Sequence, residues 1–168
     1  KCVHQLRNDV DAVMVGINTV ARDNPLLDSR LVKGKNPIKV IVDSSLKISE
    51  RAKVLKDPNK VIIATTSKAQ KSKVEKLQHK GVRVIVLKPK KGLVDLNELM
   101  KELGKSEIAL VMIEGGAELS GNAIKEGVID KVLIFTAPKI IGNGIDSIKN
   151  LGIKKVDKAI NLKNVSTK

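Results

Sequence analysis

Two stretches concentrate the groups able to do chemistry. The first is Gly16-Ile17-Asn18-Thr19-Val20-Ala21-Arg22-Asp23-Asn24-Pro25-Leu26-Leu27-Asp28-Ser29-Arg30. Gly16 lets a ligand approach the backbone closely. Thr19 offers a hydroxyl at the start of a short helix, and Pro25 biases Asn24 away from the right-handed helical region. Arg30, with Arg7 upstream, supplies planar forks suited to phosphate. A capped turn with surface arginines accounts for the same residues. The second stretch is Glu114-Gly115-Gly116-Ala117-Glu118-Leu119-Ser120-Gly121-Asn122. Two glycines between an apolar run and a helix permit a tight turn and leave N–H groups at the helix N-terminus, where anions bind. This is not G-x-G-x-x-G. Gly116 and Gly121 have half the spacing of a P-loop, but Asn122-Ala123 stands where Lys-Ser/Thr is required. Glu114 is placed to accept from a ligand hydroxyl or amine, or to cap a local turn. The hydroxyl runs Asp43-Ser44-Ser45 and Thr65-Thr66-Ser67 read either as anion contacts or as turn and capping residues.

Other chemistries lack their residues. His4 and His79 stand without H-x-E or C-x-x-C, so no zinc site is expected and no metal is assigned. Cys2, the single cysteine, has no thiol to pair with and no adjacent base. G-x-S-x-G is absent.

The elements that must position these groups read as alternating strands and helices. Apolar, β-branched runs occur at 12–15, 38–42, 61–64, 83–87, 108–113 and 132–135. They are continuous rather than alternating, as strands buried on both faces of a parallel sheet are. Ser67 with Gln70 forms a capping-box pattern for a helix over 68–80, closed by Gly81. Asp95 with Glu98 forms another, followed by Leu96, Leu99, Met100 and Leu103 on one face. A third helix spans 117–126 before Gly127. The loops 34–37 and 57–59 read as turns, and 138–144 as a loop after the sixth strand. The fold class is α/β, a three-layer sandwich around a mostly parallel central sheet. Ligands of such sheets bind beyond the carboxyl ends of the strands, where both chemical stretches fall.

The chain has 168 residues, enough for one domain. Its net charge of +14 comes from 32 basic against 18 acidic residues. Nearly all the basic residues are lysines dispersed along the chain, and Phe135 is the only aromatic residue. Single-strand nucleic-acid binding uses aromatic stacking platforms, and base readout favours arginine. The lysines therefore read as a solvated surface whose positive field attracts an anionic substrate or cofactor. No apolar run approaches the length of a membrane span, and no secretory signal opens the chain. The lone cysteine fits a reducing compartment, and a cytoplasmic location is expected.

Val3-His4-Gln5-Leu6-Arg7, Val15 through Val20, Asp23 through Leu27, Ile41 through Ser44 and Ile113 through Ala117 occur in that order. Together they resemble the reductase domain of the riboflavin-biosynthesis deaminase–reductases, over about Val3 to Gly144. The resemblance implies a dihydrofolate-reductase-like fold and an NADPH-dependent reduction of 5-amino-6-(5-phosphoribosylamino)uracil. It makes Arg7, Leu27, Arg30 and Glu114 substrate contacts, the arginines holding the phosphate. It makes Thr19, Asp23 and Ser44 cofactor contacts, and places the pyrophosphate on Gly115, Gly116, Ala117, Glu118, Leu119, Ser120, Gly121 and Asn122. Asp23 and Glu114 are the candidate catalytic groups, as routes for a proton. A homodimer and a zinc deaminase domain, fused or separate, are the implied partners, with no role for nucleic acid or membrane. Asp28 departs from the threonine usual in the family. The family's first strand, with its Ser-x-Asp-Gly-like segment, and its last strand are not recognised here, and the start without Met reads as a processed or trimmed chain. The expected organisation is a single reductase domain over 1–168 without those two strands.

Two rivals make different predictions. A related NADPH reductase of another phosphorylated substrate would keep the arginines and the glycine turn. A basic nucleic-acid-binding domain would show steeply salt-dependent affinity and lysines gathered on one face. A third reading is a non-catalytic domain used for oligomerisation.

Overall fold

In the computed structural model, which describes residues 1–167, a parallel sheet carries helices on both faces. Its strands are β1 (Ala12–Gly16), β2 (Ile38–Val42), β3 (Val61–Thr66), β4 (Arg83–Leu87) and β7 (Val111–Ile113), in the order β4-β3-β2-β1-β7. All four pairings are parallel. A small antiparallel hairpin, β5 (Pro89–Lys90) and β6 (Leu93–Val94), lies apart from them. The helices are α1 (Cys2–Asp9), α2 (Ile17–Asp23), α3 (Lys71–His79), α4 (Leu96–Gly104) and α5 (Ala117–Lys125).

Strand residues alternate between two cores. Val13, Val15, Ile41 and Ile63 pack with Val20 of α2, Leu77 of α3 and the segment Leu46–Val54. Ala12, Met14, Val40, Ile62 and Ala64 pack with Leu96, Leu99 and Leu103 of α4 and Leu119 and Ala123 of α5. This is the three-layer α/β sandwich expected from continuous apolar runs. Leu99 is fully buried at the centre of the second core. Leu99→Ala should cost about 2–5 kcal/mol, read as a lower urea midpoint with an unchanged slope.

Helix boundaries follow local donors and acceptors. Asp95 caps α4 as expected, its carboxylate accepting from the N–H groups of Asn97 and Glu98. Ser67 does not start α3. The Thr66 carbonyl and hydroxyl take the N–H groups of Ala69 and Lys68, and the helix begins only at Lys71. Gly81 closes the chain reversal after α3 with φ +92°, as read. The fifth run is shorter than expected because the Asp11 carboxylate accepts from the N–H groups of Ala109 and Leu110. Those two bonds hold the Asp11 carboxyl below the usual carboxylate range. The sixth run, 132–135, forms no strand. Its side chains are exposed, and β7 pairs with β1 alone among the described residues, so the run has no neighbour to complete a ladder.

The loop after β2 is tied to α3 by Glu50, which meets Lys76 at 2.9 Å and Lys80 at 2.5 Å. Hydrogen bonds from Lys80, then Lys76, hold the Glu50 carboxyl down to about 2. A depressed carboxylate adds stability above its ordinary value near 4.5, and that stability is lost as pH falls through about 2. Glu50→Gln should therefore lower the melting temperature slightly at neutral pH, and the gap to wild type should close across that acid window.

Candidate functional site

The sheet order reverses at β1. Its successor β2 lies on one side and β7 on the other. The crevice beyond the carboxyl ends at such a reversal is where ligands of open α/β sheets bind. Here the crevice is one part of a larger cleft of about 2030 Å³, which also runs along the open edge of β7 past Ile108, Leu110, Val132 and Lys149. Arg7, Thr19, Asp23, Leu27, Ser44, Glu114, Gly115, Gly116, Ala117, Glu118, Leu119, Ser120 and Asn122 all line it. Residues scattered over more than a hundred positions of sequence thus share one wall, because β1, β2 and β7 end side by side.

The turn between β7 and α5 has the geometry its glycines suggest. Gly115 and Gly116 have φ of +83° and +87°, a region L side chains avoid. Gly116 is the N-cap of α5 and supplies no side-chain cap. Among the described residues the N–H groups of Gly115, Gly116 and Ala117 find no partner. These free donors open a nine-residue helix at the cleft, a fit for an anionic group. The start of α2 meets this turn. A Cβ on Gly116 would stand 3.3 Å from the Thr19 hydroxyl, and the Asn18 amide reaches Glu118 at 3.4 Å. Gly121 is buried behind the wall, where a Cβ would strike the Lys149 carbonyl, so it serves close packing there.

Arg7 and Glu114 form a two-pronged pair. The Arg7 Nε donates to Glu114 Oε2 at 2.8 Å and an Nη to Oε1 at 2.5 Å. The other Nη donates to the backbone carbonyl of Asp28 at 2.9 Å. One guanidinium thus joins α1, the end of β7 and the loop after α2. Three of its five N–H donors are used, and two have no partner among the described residues. Arg30 is elsewhere: it does not line the cleft, and its Nη donates to the Asp28 carboxylate at 2.5 Å. Asp23 is exposed at the rim, 3.6 Å from Arg22.

The β2 end is built around Asp43, a fully buried carboxylate that accepts from the Ile48 N–H at 2.8 Å. Its other oxygen and the Thr65 hydroxyl are buried without a partner. Ser44 accepts at Oγ from the Val94 N–H, and its carbonyl accepts from the Thr66 hydroxyl. The hairpin β5–β6 therefore docks on Ser44 and brings Leu93 and Val94 to the cleft, which sequence reasoning missed. Its signal was Lys91-Gly92, two residues of positive φ joining short strands, as a two-residue hairpin turn requires.

A parallel α/β sheet with a cleft at its reversal point and an uncapped helix start over a Gly-Gly turn is the arrangement in which α/β domains hold anionic ligands. The chain belongs to the RibD C-terminal domain family, whose model matches residues 1–168. It is 38% identical over 164 residues to the riboflavin biosynthesis protein RibD of Aquifex aeolicus, spanning 97% of this chain and 44% of that protein. It is 36% identical over 166 residues to the 2,5-diamino-6-ribosylamino-4(3H)-pyrimidinone 5′-phosphate reductase of the same organism, spanning 97% of this chain and 73% of that protein. Among solved structures, Acinetobacter baumannii RibD superposes with a TM-score of 0.81 at 26% identity, over 98% of this chain and 45% of that one. The chain thus spans about half the length of the RibD proteins it matches, and its fold is the dihydrofolate-reductase-like one that the resemblance implied.

Proposed function

We propose that this chain is a single reductase domain that uses NADPH to reduce the ribose of 5-amino-6-(5-phosphoribosylamino)uracil at C1′, giving the ribityl product. The observation that carries this reading is the shared wall: Arg7, Leu27 and Glu114 line the same cleft as Thr19 and the Gly-Gly turn. The free N–H groups from Gly115 to Ala117 would hold the pyrophosphate, with Thr19, Asp23 and Ser44 beside the rest of the cofactor. Bound there, NADPH supplies the hydride. The protein's part is to hold donor and acceptor carbons in near contact and exclude water. Arg7 keeps two N–H donors for the substrate while orienting Glu114. Asp23 and Glu114 are the carboxyl groups assigned to move a proton to the opened sugar.

The relative named for 2,5-diamino-6-ribosylamino-4(3H)-pyrimidinone 5′-phosphate supports a second substrate, the same ribosyl phosphate before deamination of its ring. We assign a second copy of this chain and a zinc deaminase, fused or separate, as partners in the cytoplasm. The test is NADPH consumption with each substrate, the ribityl product being identified by mass. Turnover with NADPH and much weaker use of NADH supports the reading. An absence of NADPH binding and turnover in both this chain and the full-length gene product overturns it.

A further inference from the structure

We propose that Gly121 is a positioning residue that seats the segment Ile145–Lys149 as a strap against α5, and that this strap gates the cleft, loosening when NADPH enters or leaves. The ligand's identity rests on the reductase reading; the seating of the strap does not. The family resemblance made Gly121 a pyrophosphate contact, but it does not line the cleft. It is buried within α5, and a Cβ there would overlap the Lys149 carbonyl oxygen and stand 2.9 Å from the carbonyl carbon. Its φ is not positive, so the position requires a small residue rather than a free backbone.

Lys149 meets the same turn of α5 through its N–H, which donates to the Ala117 carbonyl at 2.9 Å. Among the described residues this is the sole hydrogen bond joining residues 131–167 to the rest of the chain. The single tether therefore falls on the first turn of the helix that opens with the unpartnered N–H groups of Gly115, Gly116 and Ala117. Ile145, Ser147 and Ile148 line the cleft together with Glu118 and Ser120 of α5. Ile145 and Ile148 are exposed there and belong to neither core. A planar ring in the cleft covers them, and taking that apolar surface out of water favours the seated strap. Ligand and strap then support each other, because a ligand that binds better with the strap seated also holds it down. A segment held by one backbone bond and one close approach opens at low cost, as gating segments do.

The strap can be unseated from either side. Gly121→Ala puts a methyl where the Lys149 carbonyl lies, and alanine is the better helix former, so α5 itself is not weakened. Lys149→Pro removes the N–H from the tail and leaves α5 untouched. Release of NADPH is followed by stopped-flow displacement with excess NADP⁺, on the coenzyme's own fluorescence, since the chain has no tryptophan or tyrosine. Hydrogen exchange across 145–149 is read with and without NADPH. Each variant should release NADPH roughly five- to a hundred-fold faster, the span of ordinary coupling between sites. The double variant should release it no faster than the faster single one, because both lesions undo the same docking. NADPH should slow exchange at 145–149 in wild type and not in the variants. Wild-type release from both variants, or exchange in wild type that ignores NADPH, overturns the proposal and leaves the reductase reading standing. Should Gly121→Ala fail to fold, the release rate of Lys149→Pro decides alone. A wild type that binds no NADPH overturns the reductase reading, and the gate with it.

Discussion

Arg7→Ala should lower kcat/KM for the ribosyl phosphate substrate by about a hundred-fold or more, the loss that misplacing a reacting group causes. It should also destabilise the fold by about 2–3 kcal/mol, below the full cost of breaking a buried ion pair because Glu114 retains some solvent contact. The guanidinium has only 12% of its side chain exposed and makes three hydrogen bonds across three elements. Its removal strands the Glu114 carboxylate at the end of β7 and frees the Asp28 carbonyl. Arg7→Lys separates the two effects. A lysine keeps the charge and cannot form the two-pronged geometry, so most of the stability should return while kcat/KM stays at least about ten-fold down. Glu114→Gln should lower kcat more than it raises KM for NADPH, because the amide keeps the shape and loses the charge that Arg7 orients. Steady-state kinetics with both substrates varied, beside urea melts, reads all of this. Wild-type kcat/KM in Arg7→Ala would make the pair a structural bystander.

What the sequence discloses about this site depends on how far apart the interacting groups lie. The Asp95 cap was legible because donor and acceptor are two and three residues apart. The tight turn at Gly115 and Gly116 was legible because it is local, and the structure builds it with positive φ at both glycines. The parallel sheet covered on both faces followed from continuous apolar runs, since burial on both faces leaves no room for polar alternation. The start of α3 was misplaced because two local acceptors compete there, and the Thr66 hydroxyl wins over Ser67. The pairing of Arg7 with Glu114 spans 107 positions, and periodicity carries no information at that range. Sequence reasoning placed both residues at a ligand and missed that they hold each other. Arg30 shows the converse. Its partner lies two residues away, so the contact was within reach of a local reading. In the sequence Asp28 stood out only as a departure from the family's threonine, not as the partner of Arg30. Val132–Phe135 has the composition of a strand, but a strand is a pairing, and composition cannot supply the neighbour.

The Gly-Gly turn gives the second large effect. Gly115→Ala and Gly116→Ala both force a side chain into positive φ, which costs roughly 1–3 kcal/mol at each position. They differ in what the new Cβ meets. At Gly115 nothing lies within 4 Å, so the cost is backbone strain alone. At Gly116 the methyl would stand 3.3 Å from the Thr19 hydroxyl and 3.7 Å from the Leu119 Cβ. Relief requires Thr19 to shift or α5 to retreat, and either displaces a group assigned to the cofactor. Gly116→Ala should therefore weaken NADPH binding at least ten-fold, about 1.4 kcal/mol, and Gly115→Ala by a smaller factor. Affinity for ribose 5-phosphate should change little in either, because its assigned arginines lie on α1 and the loop after α2. Calorimetry with the two ligands on each variant tests the division of the cleft. A Gly116→Ala protein that binds NADPH as tightly as wild type would remove the pyrophosphate from the start of α5. Parallel loss of both ligands would show instead that the two subsites share one wall too closely to be separated by a single methyl.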